Sequence, residues 1–391
     1  MSELVLIANA GDGTVSALRL HREGPEGARL EPLATSPVGP GVGTFAIDTD
    51  RDLVYAAVKG DPAAIVTLRL DRETGALSEI SRRPVGASMT YLDLGWGGSV
   101  VLGASYGGGF GSTWLVDGGS PSGAGELGEV VARVEFANAH CILAAAPGSA
   151  AASDSVAAPG SDGAPGSAVA PGSEAGRGSD GATSGSVASS SGAEFAYLVS
   201  LGEDLVAQFS LGADGTLTPL DPPSAAAPAG SGPRHLVVEG RDAYVMAEFS
   251  GEAIRYAIGA DGALAREEAV SAVEPGADLS HSRLGADPVE EHLIWGADLH
   301  VAGSWLLCSE RSASTIASLP LDEGRLGDAV AFASTPKQPR GFGVTSDGAY
   351  VVAVGEKADV AALSRVESDG RLTPLGDTPI GAGANWVRII A

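Results

Sequence analysis

The sequence predicts an all-β chain folded as a single seven-bladed β-propeller, with the ring closed by its last strand. Three observations predict it. A Gly-x-Leu signature recurs along the chain, four short apolar strands fill each interval, and the two chain ends complement each other.

The signature, usually preceded by an acidic residue, stands at Gly75 to Leu77, Gly125 to Leu127, Gly215 to Leu217, Gly262 to Leu264, Gly324 to Leu326 and Gly370 to Leu372. A looser copy with one extra residue runs from Gly27 to Leu30, which makes seven. Successive glycines lie 46 to 50 residues apart, except for intervals of 90 and 62. Residues 147–192 account for the longer one. They are nearly all Ala, Gly, Ser, Pro and Asp, with no aromatic residue, Leu or Ile. Such a segment buries too little apolar surface to offset the entropy of ordering, so it is expected to be a disordered insert. Without it, the interval of 90 falls to 44 and the period returns.

Within a period the pattern is four strands separated by Gly, Asp or Ser. In the second repeat they read as 44–47, 53–58, 64–70 and 77–81, and in the fifth as 234–239, 243–249, 253–258 and 264–270. This is the size of a propeller blade. The first repeat begins with a second-type strand at 4–8, whereas the chain ends with an unpaired first-type strand at 386–390. Pairing them removes two exposed sheet edges. Residues 1–391 thus form one propeller, and the insert falls in the hairpin between the first two strands of blade four.

A formal charge of −25, from 49 acidic and 24 basic residues, argues against nucleic acid and membrane partners. Only Lys59, Lys337 and Lys357 are lysines. No apolar run approaches the ~18 residues of a membrane span, and the N-terminus lacks the basic and apolar regions of a signal peptide. Two cysteines, Cys141 and Cys308, imply no disulfide framework. The expectation is a cytoplasmic monomer without a cofactor.

Geometry selects the candidate site. Consecutive strands of a blade are antiparallel, so starts of first strands and ends of second strands meet on one face around the central channel. At those starts stand His140, Arg234, His235, Asp298, His300 and Arg340; at the second-strand ends stand Lys59, Tyr106, Glu248, Glu310, Arg311 and Glu356. Histidine, arginine and glutamate together suit acid–base chemistry on an anionic substrate. His140 fits a general acid or base, or a strand-start histidine bonded to a neighbouring loop. Arg234 and Arg311 fit anion and oxyanion binding, or inter-blade ion pairs with Glu310 or Asp298. Glu248 fits a base that activates water, or a group that orients Arg234. His235 and His300 fit packing as well as binding. Variants at His140 and Arg234 are expected to fold, since strand starts lie outside the apolar core. Asp298-x-His300 is too small a cluster for a metal, and there is no zinc spacing or nucleophile elbow. The Gly107–Gly111 run lacks the following helix of a phosphate loop.

The runs ASYGGGFGSTW (104–114), ANAHCIL (137–143), GPRHLVV (232–238), ADLHVAG (297–303) and RGFGVTSDGAYVVAV (340–354) resemble the propeller-type lactonase family. That family contains 6-phosphogluconolactonases and 3-carboxy-cis,cis-muconate lactonizing enzymes. The resemblance covers the chain outside 147–192. It implies a hydrolase of carbohydrate metabolism that opens 6-phosphogluconolactone, in the pentose phosphate pathway, or a related small anionic lactone. The muconate branch's site implies His140, Arg234, Glu248 and Arg311 as catalytic residues. His235, Tyr106, Asp298, His300 and Arg340 complete the rim as substrate-binding candidates. The chain departs from the family at Ala247 and Glu310, where Asn is usual, at Lys59 for a glutamate, and at Tyr91 for a histidine. Two alternatives use the same face: a non-catalytic binding propeller, and a lactonizing isomerase.

Overall fold

The computed structural model describes residues 3–22, 27–116, 125–146 and 193–391. Their strands form seven antiparallel sheets, one per repeat, in the order expected of blades. Blade one runs from its inner strand Ala384–Ile390 through Glu3–Asn9 and Thr14–His21 to Arg29–Pro37. The segment 147–192 lies outside the described residues. Its anchors do not: Ala139–Ala145 and Glu194–Ser200 are antiparallel neighbours, with Ala145 opposite Phe195. By strand direction these anchors sit on the face away from the candidate site.

The repeated glycine has a backbone reason. All seven signature glycines, Gly27 included, hold φ between 71° and 83°, in the turn that joins the third and fourth strands of a blade. A side chain there is strained, and at Gly262 it would also strike the Phe195 ring of the preceding blade. These turns dock from blade to blade through hydrogen bonds. The hydroxyls of Tyr55, Tyr197 and Tyr244 donate to the carbonyls of Gly125 at 3.1 Å, Gly262 at 2.7 Å and Gly324 at 2.6 Å, each in the following blade.

The buried apolar side chains form seven clusters, one in each gap between neighbouring blades. Alternate residues of a strand serve opposite gaps. Leu4, Leu6 and Ala8 pack toward blade two, whereas Val5 and Ile7 pack toward blade seven. Inner strands therefore read as continuous apolar runs, because both of their faces are covered. The outer strands alternate instead, as in Leu264–Ser271.

Two irregularities bear on the site. The 62-residue interval arises from the long connection between Ser271 and Gly296, on the candidate face, pinned by a Ser280–Leu293 bridge. The outer strand of blade six is broken into Arg325–Leu326 and Ala331–Ser334, both paired with Thr315–Asp322. No helix among the described residues is long and apolar enough to cross a membrane.

The ring is closed as the chain ends require. The last strand pairs with the first, from Leu4 opposite Ile390 to Ala8 opposite Trp386. Trp386 is buried between blades one and two and donates its indole N–H to the Phe45 carbonyl at 3.0 Å. Deleting 386–391 removes Val387, Ile389 and Ile390, which forfeits roughly 5–9 kcal/mol of apolar burial before Trp386 is counted. That is a large part of the 5–15 kcal/mol typical of a folded protein, and two sheet edges are exposed as well. The truncated chain is expected to aggregate on expression. A soluble monomer with the parent's melting temperature, by light scattering and calorimetry, would refute the closure.

Candidate active site

Four of the first strands carry an extra residue at their start. Where blade four pairs Ala139 with Ser200 and then Cys141 with Val199, His140 is passed over. Arg234 is passed over in the same way in blade five, and Asn385 in blade one. In blade six the shift falls between Gly296 and Leu299, which frees Ala297 and Asp298. Such bulges re-aim a side chain out of the regular pleat. Here they bring His140 and Arg234 beside His235 and set Asp298 on the His235 Nδ1.

Glu248 is the hub. Its Oε2 accepts from Arg234 Nε at 2.8 Å and from Arg311 Nη2 at 3.0 Å. The two guanidiniums are 1% and 2% exposed at the side chain, against 16% for Glu248. Neither alternative ion pair forms. Glu310 Oε1 accepts the Trp295 N–H and its Oε2 the Ala313 N–H, while Asp298 faces histidines. Arg234 also donates Nη1 to the Ala297 carbonyl at 2.6 Å and to His235 Nε2 at 3.1 Å. Arg311 lies flat on the Trp295 ring, 3.7 Å from its centroid, so the long connection supplies one wall. Among the described residues, Arg234 Nη2 and Arg311 Nη1 have no hydrogen-bond partner. Arg340, from blade seven, reaches Glu356 at 3.4 Å and stays 30% exposed.

Two of the histidines, His140 and His235, are held toward the neutral form. His140 is buried, its Nδ1 has no partner among the described residues, and its ring stands edge-on to Tyr106 at 5.8 Å and His235 at 5.1 Å. Burial, reinforced by the charge of Arg234, holds it well below the ordinary imidazole range. Burial and then Arg234 push His235 down to about 3. Its partners fix the tautomer: Nδ1–H donates to Asp298 at 2.8 Å, and Nε2 accepts from Arg234. Asp298 also accepts from His300 Nε2 and the Phe342 N–H, both at 3.3 Å, and from the Leu299 N–H at 3.1 Å. Burial alone would raise this carboxyl, but the donors around it, His300 and His235 foremost, hold it well below the usual carboxylate range. Burial raises the Tyr106 hydroxyl, and Glu248 adds to that.

All nine sequence-selected residues therefore lie on one face, and the structure divides them. His140, Arg234, Glu248, Arg311 and Tyr106 stand together, and Arg340 lies apart from them on Glu356. His235, Asp298 and His300 form a buried relay that holds Arg234 and links blades five, six and seven. One expectation is corrected. Arg234 is a buried, multiply bonded residue between two blades, so its truncation leaves Glu248 with Arg311 alone, strips the donor from His235 Nε2 and the Ala297 carbonyl, and costs stability. Among positions unlike the family's, Tyr91 fills the channel below, edge-on to His235 at 5.3 Å and Trp386 at 5.1 Å. Lys59 is exposed, its side chain lying along Gly41. Trp295 and Asn385 were missed; the 62-residue interval pointed to Trp295, whereas no spacing announces a bulge.

Other chemistries have little here. Both cysteines are buried and unpaired, and burial pushes their thiols up, away from the reactive thiolate. Among the described residues no three His, Cys, Asp or Glu side chains cluster to hold a metal ion.

The family model for "Lactonase, 7-bladed beta-propeller" matches residues 5–389. A 6-phosphogluconolactonase of Serratia proteamaculans is 26% identical over 398 residues, which span both chains entirely. One from Sodalis glossinidius is 34% identical over 197 residues, 49% of this chain but only 56% of that relative. Among solved structures, the periplasmic gluconolactonase of Pseudomonas aeruginosa superposes with a TM-score of 0.75 at 19% identity, over 100% of this chain and 99% of that one. The chain belongs to the seven-bladed β-propeller lactonase family.

Proposed function

We propose that the chain hydrolyses a sugar lactone, 6-phosphogluconolactone or a near relative, at the rim of its channel. One observation carries the reading: two buried guanidiniums share a single carboxylate oxygen. Buried charge is costly unless compensated. Two cations on one anion leave a positive excess with spare N–H donors, which an anionic substrate or a developing oxyanion offsets. The names of the Serratia and Sodalis relatives support the same substrate class.

The chemistry follows from the geometry. Water attacks the lactone carbonyl carbon, and the carbonyl oxygen becomes an oxyanion facing Arg234 and Arg311. His140 Nδ1 takes the water's proton and returns it to the ring oxygen as the ester C–O bond breaks, giving the aldonate. The free imidazole is a weak base because it is buried and, after that, because Arg234 opposes its charge. As the oxyanion forms, that opposition falls and the proton transfer becomes favourable. Glu248 orients the arginines. Arg340, more exposed and loosely paired, meets the substrate's phosphate at the mouth. The two unpaired thiols suit a reducing, cytoplasmic setting. The large apolar side chains left exposed are scattered over blade three, the long connection and blade six, which favours a monomer.

The test of substrate is turnover of freshly generated 6-phosphogluconolactone beside its unphosphorylated analogue, each corrected for spontaneous opening. The phosphorylated lactone is expected to show the higher kcat/KM. Rates at background for both would leave a binding propeller, and cycloisomerisation of a carboxymuconate would favour the isomerase. His140→Ala is expected to lower kcat about 10²–10⁴-fold in a protein that still folds, with a somewhat lower melting temperature because a buried ring is removed. Arg234→Ala is expected to weaken substrate and to lose about 3–5 kcal/mol of stability in urea titration, because it breaks a buried ion pair. Parent-like rates in both variants would remove this face as the active site.

A further inference from the structure

The closing strand carries a third residue in the position held by His140 and Arg234. Pairing passes from Trp386 opposite Ala8 to Ala384 opposite Asn9, and Asn385 is left out of the ladder. Its neighbour Trp386 stands edge-on to Tyr91 and His235 at 5.1 Å and 5.8 Å, so this bulge belongs to the same channel. Each bulged side chain reaches toward the first strand of the next blade. His140 meets His235, Arg234 meets the Ala297 carbonyl, and Asn385 turns toward Gly43 of blade two. A Cβ on Gly43 would stand 3.5 Å from Asn385 Nδ2. On the other side Gly341, next to Arg340, packs against the Asn385 backbone, where a Cβ would lie 2.6 Å from its carbonyl oxygen.

Asn385 is 8% exposed, and its Oδ1 has no hydrogen-bond donor among the described residues. A buried amide oxygen without a donor is uncommon in folded proteins. An asparagine is also a poor choice for a strand that needs only to close a ring, since apolar β-formers would pack there. We propose that Asn385 is a specificity-determining residue that receives a hydroxyl of a polyhydroxylated lactone. A carbohydrate hydroxyl is donor and acceptor at once, so it satisfies Oδ1 and accepts from Nδ2. A phosphate offers Oδ1 no such hydrogen, which separates this contact from the arginines. The assignment rests on the lactonase reading and deepens it.

The experiment uses two neutral six-membered lactones, δ-gluconolactone with its ring hydroxyls and δ-valerolactone without them. Asn385→Leu is expected to raise KM for gluconolactone about 10–100-fold, the loss of one well-made buried hydrogen bond, while valerolactone kinetics stay within about 2-fold, as for a contact that lactone never makes. Asn385→Asp keeps the acceptor and is expected to restore most of the gluconolactone KM, with no substrate charge to oppose it. Melting temperatures are read for both, and Asn385→Ala, which adds no bulk, replaces the leucine variant should that fail to fold. Equal effects on the two lactones, or none on either, overturn the assignment. If the parent opens neither lactone, the lactonase reading is decided by 6-phosphogluconolactone and fails only if that too stays at background. Calorimetric binding of gluconate then decides Asn385 alone: weaker binding by Asn385→Leu supports it, and equal affinities, including none in both, overturn it.

Discussion

The pairing of the last strand with the first is the constraint on which the rest depends. Seven first strands can aim their starting residues at one opening only if the sheets form a closed ring. The strand that closes it comes from the far end of the chain. Every gap between blades is filled by side chains of both neighbours, so opening one gap exposes apolar surface and two strand edges together. Arg234, Arg311, Asp298 and Phe342 come from three blades, and their mutual distances are set by that ring.

On this frame the site concentrates cost and function in the same place. Arg234 and Arg311 are as buried as core leucines, yet they share one carboxylate oxygen and keep unfilled donors. A stability-optimised core would replace them with apolar residues of similar volume. The relay from Asp298 through His235 to Arg234 adds orientation, because it fixes one imidazole tautomer and one guanidinium pose. Trp295 lays a flat surface under Arg311, so the long connection works as part of the site. Preorganisation of this kind lets a charge develop without further rearrangement.

Much of the fold was legible because its signals are local. The Gly-x-Leu turn demands φ values that glycine tolerates, and Gly75 and Gly262 show why the position repeats. Strand alternation and the complementary chain ends carried the ring. The candidate face was legible too, because strand direction alone assigns His140, Glu248 and Arg311 to it. What stayed hidden is relational. The bond from Tyr55 to Gly125 joins residues seventy apart, and Tyr55, Tyr197 and Tyr244 of the second strands were not read as partners of the glycines. A one-residue bulge has no mark in the apolar pattern, so Asn385 fell just outside the strand read at 386–390. The depth of Arg234 was hidden as well, since burial depends on Ala297 and Glu248 from elsewhere in the ring.

The central claim is that the opening ringed by His140, Arg234 and Arg311 receives the lactone's reacting carbonyl. A crystal structure of the protein with 6-phosphogluconate, the aldonate product, tests it most directly. The account predicts the product carboxylate on the free donors of Arg234 and Arg311, with His140 Nδ1 beside it. A product bound only elsewhere, for example in the surface groove lined by Gly11, Gly13, Pro37 and Gly41, would contradict it.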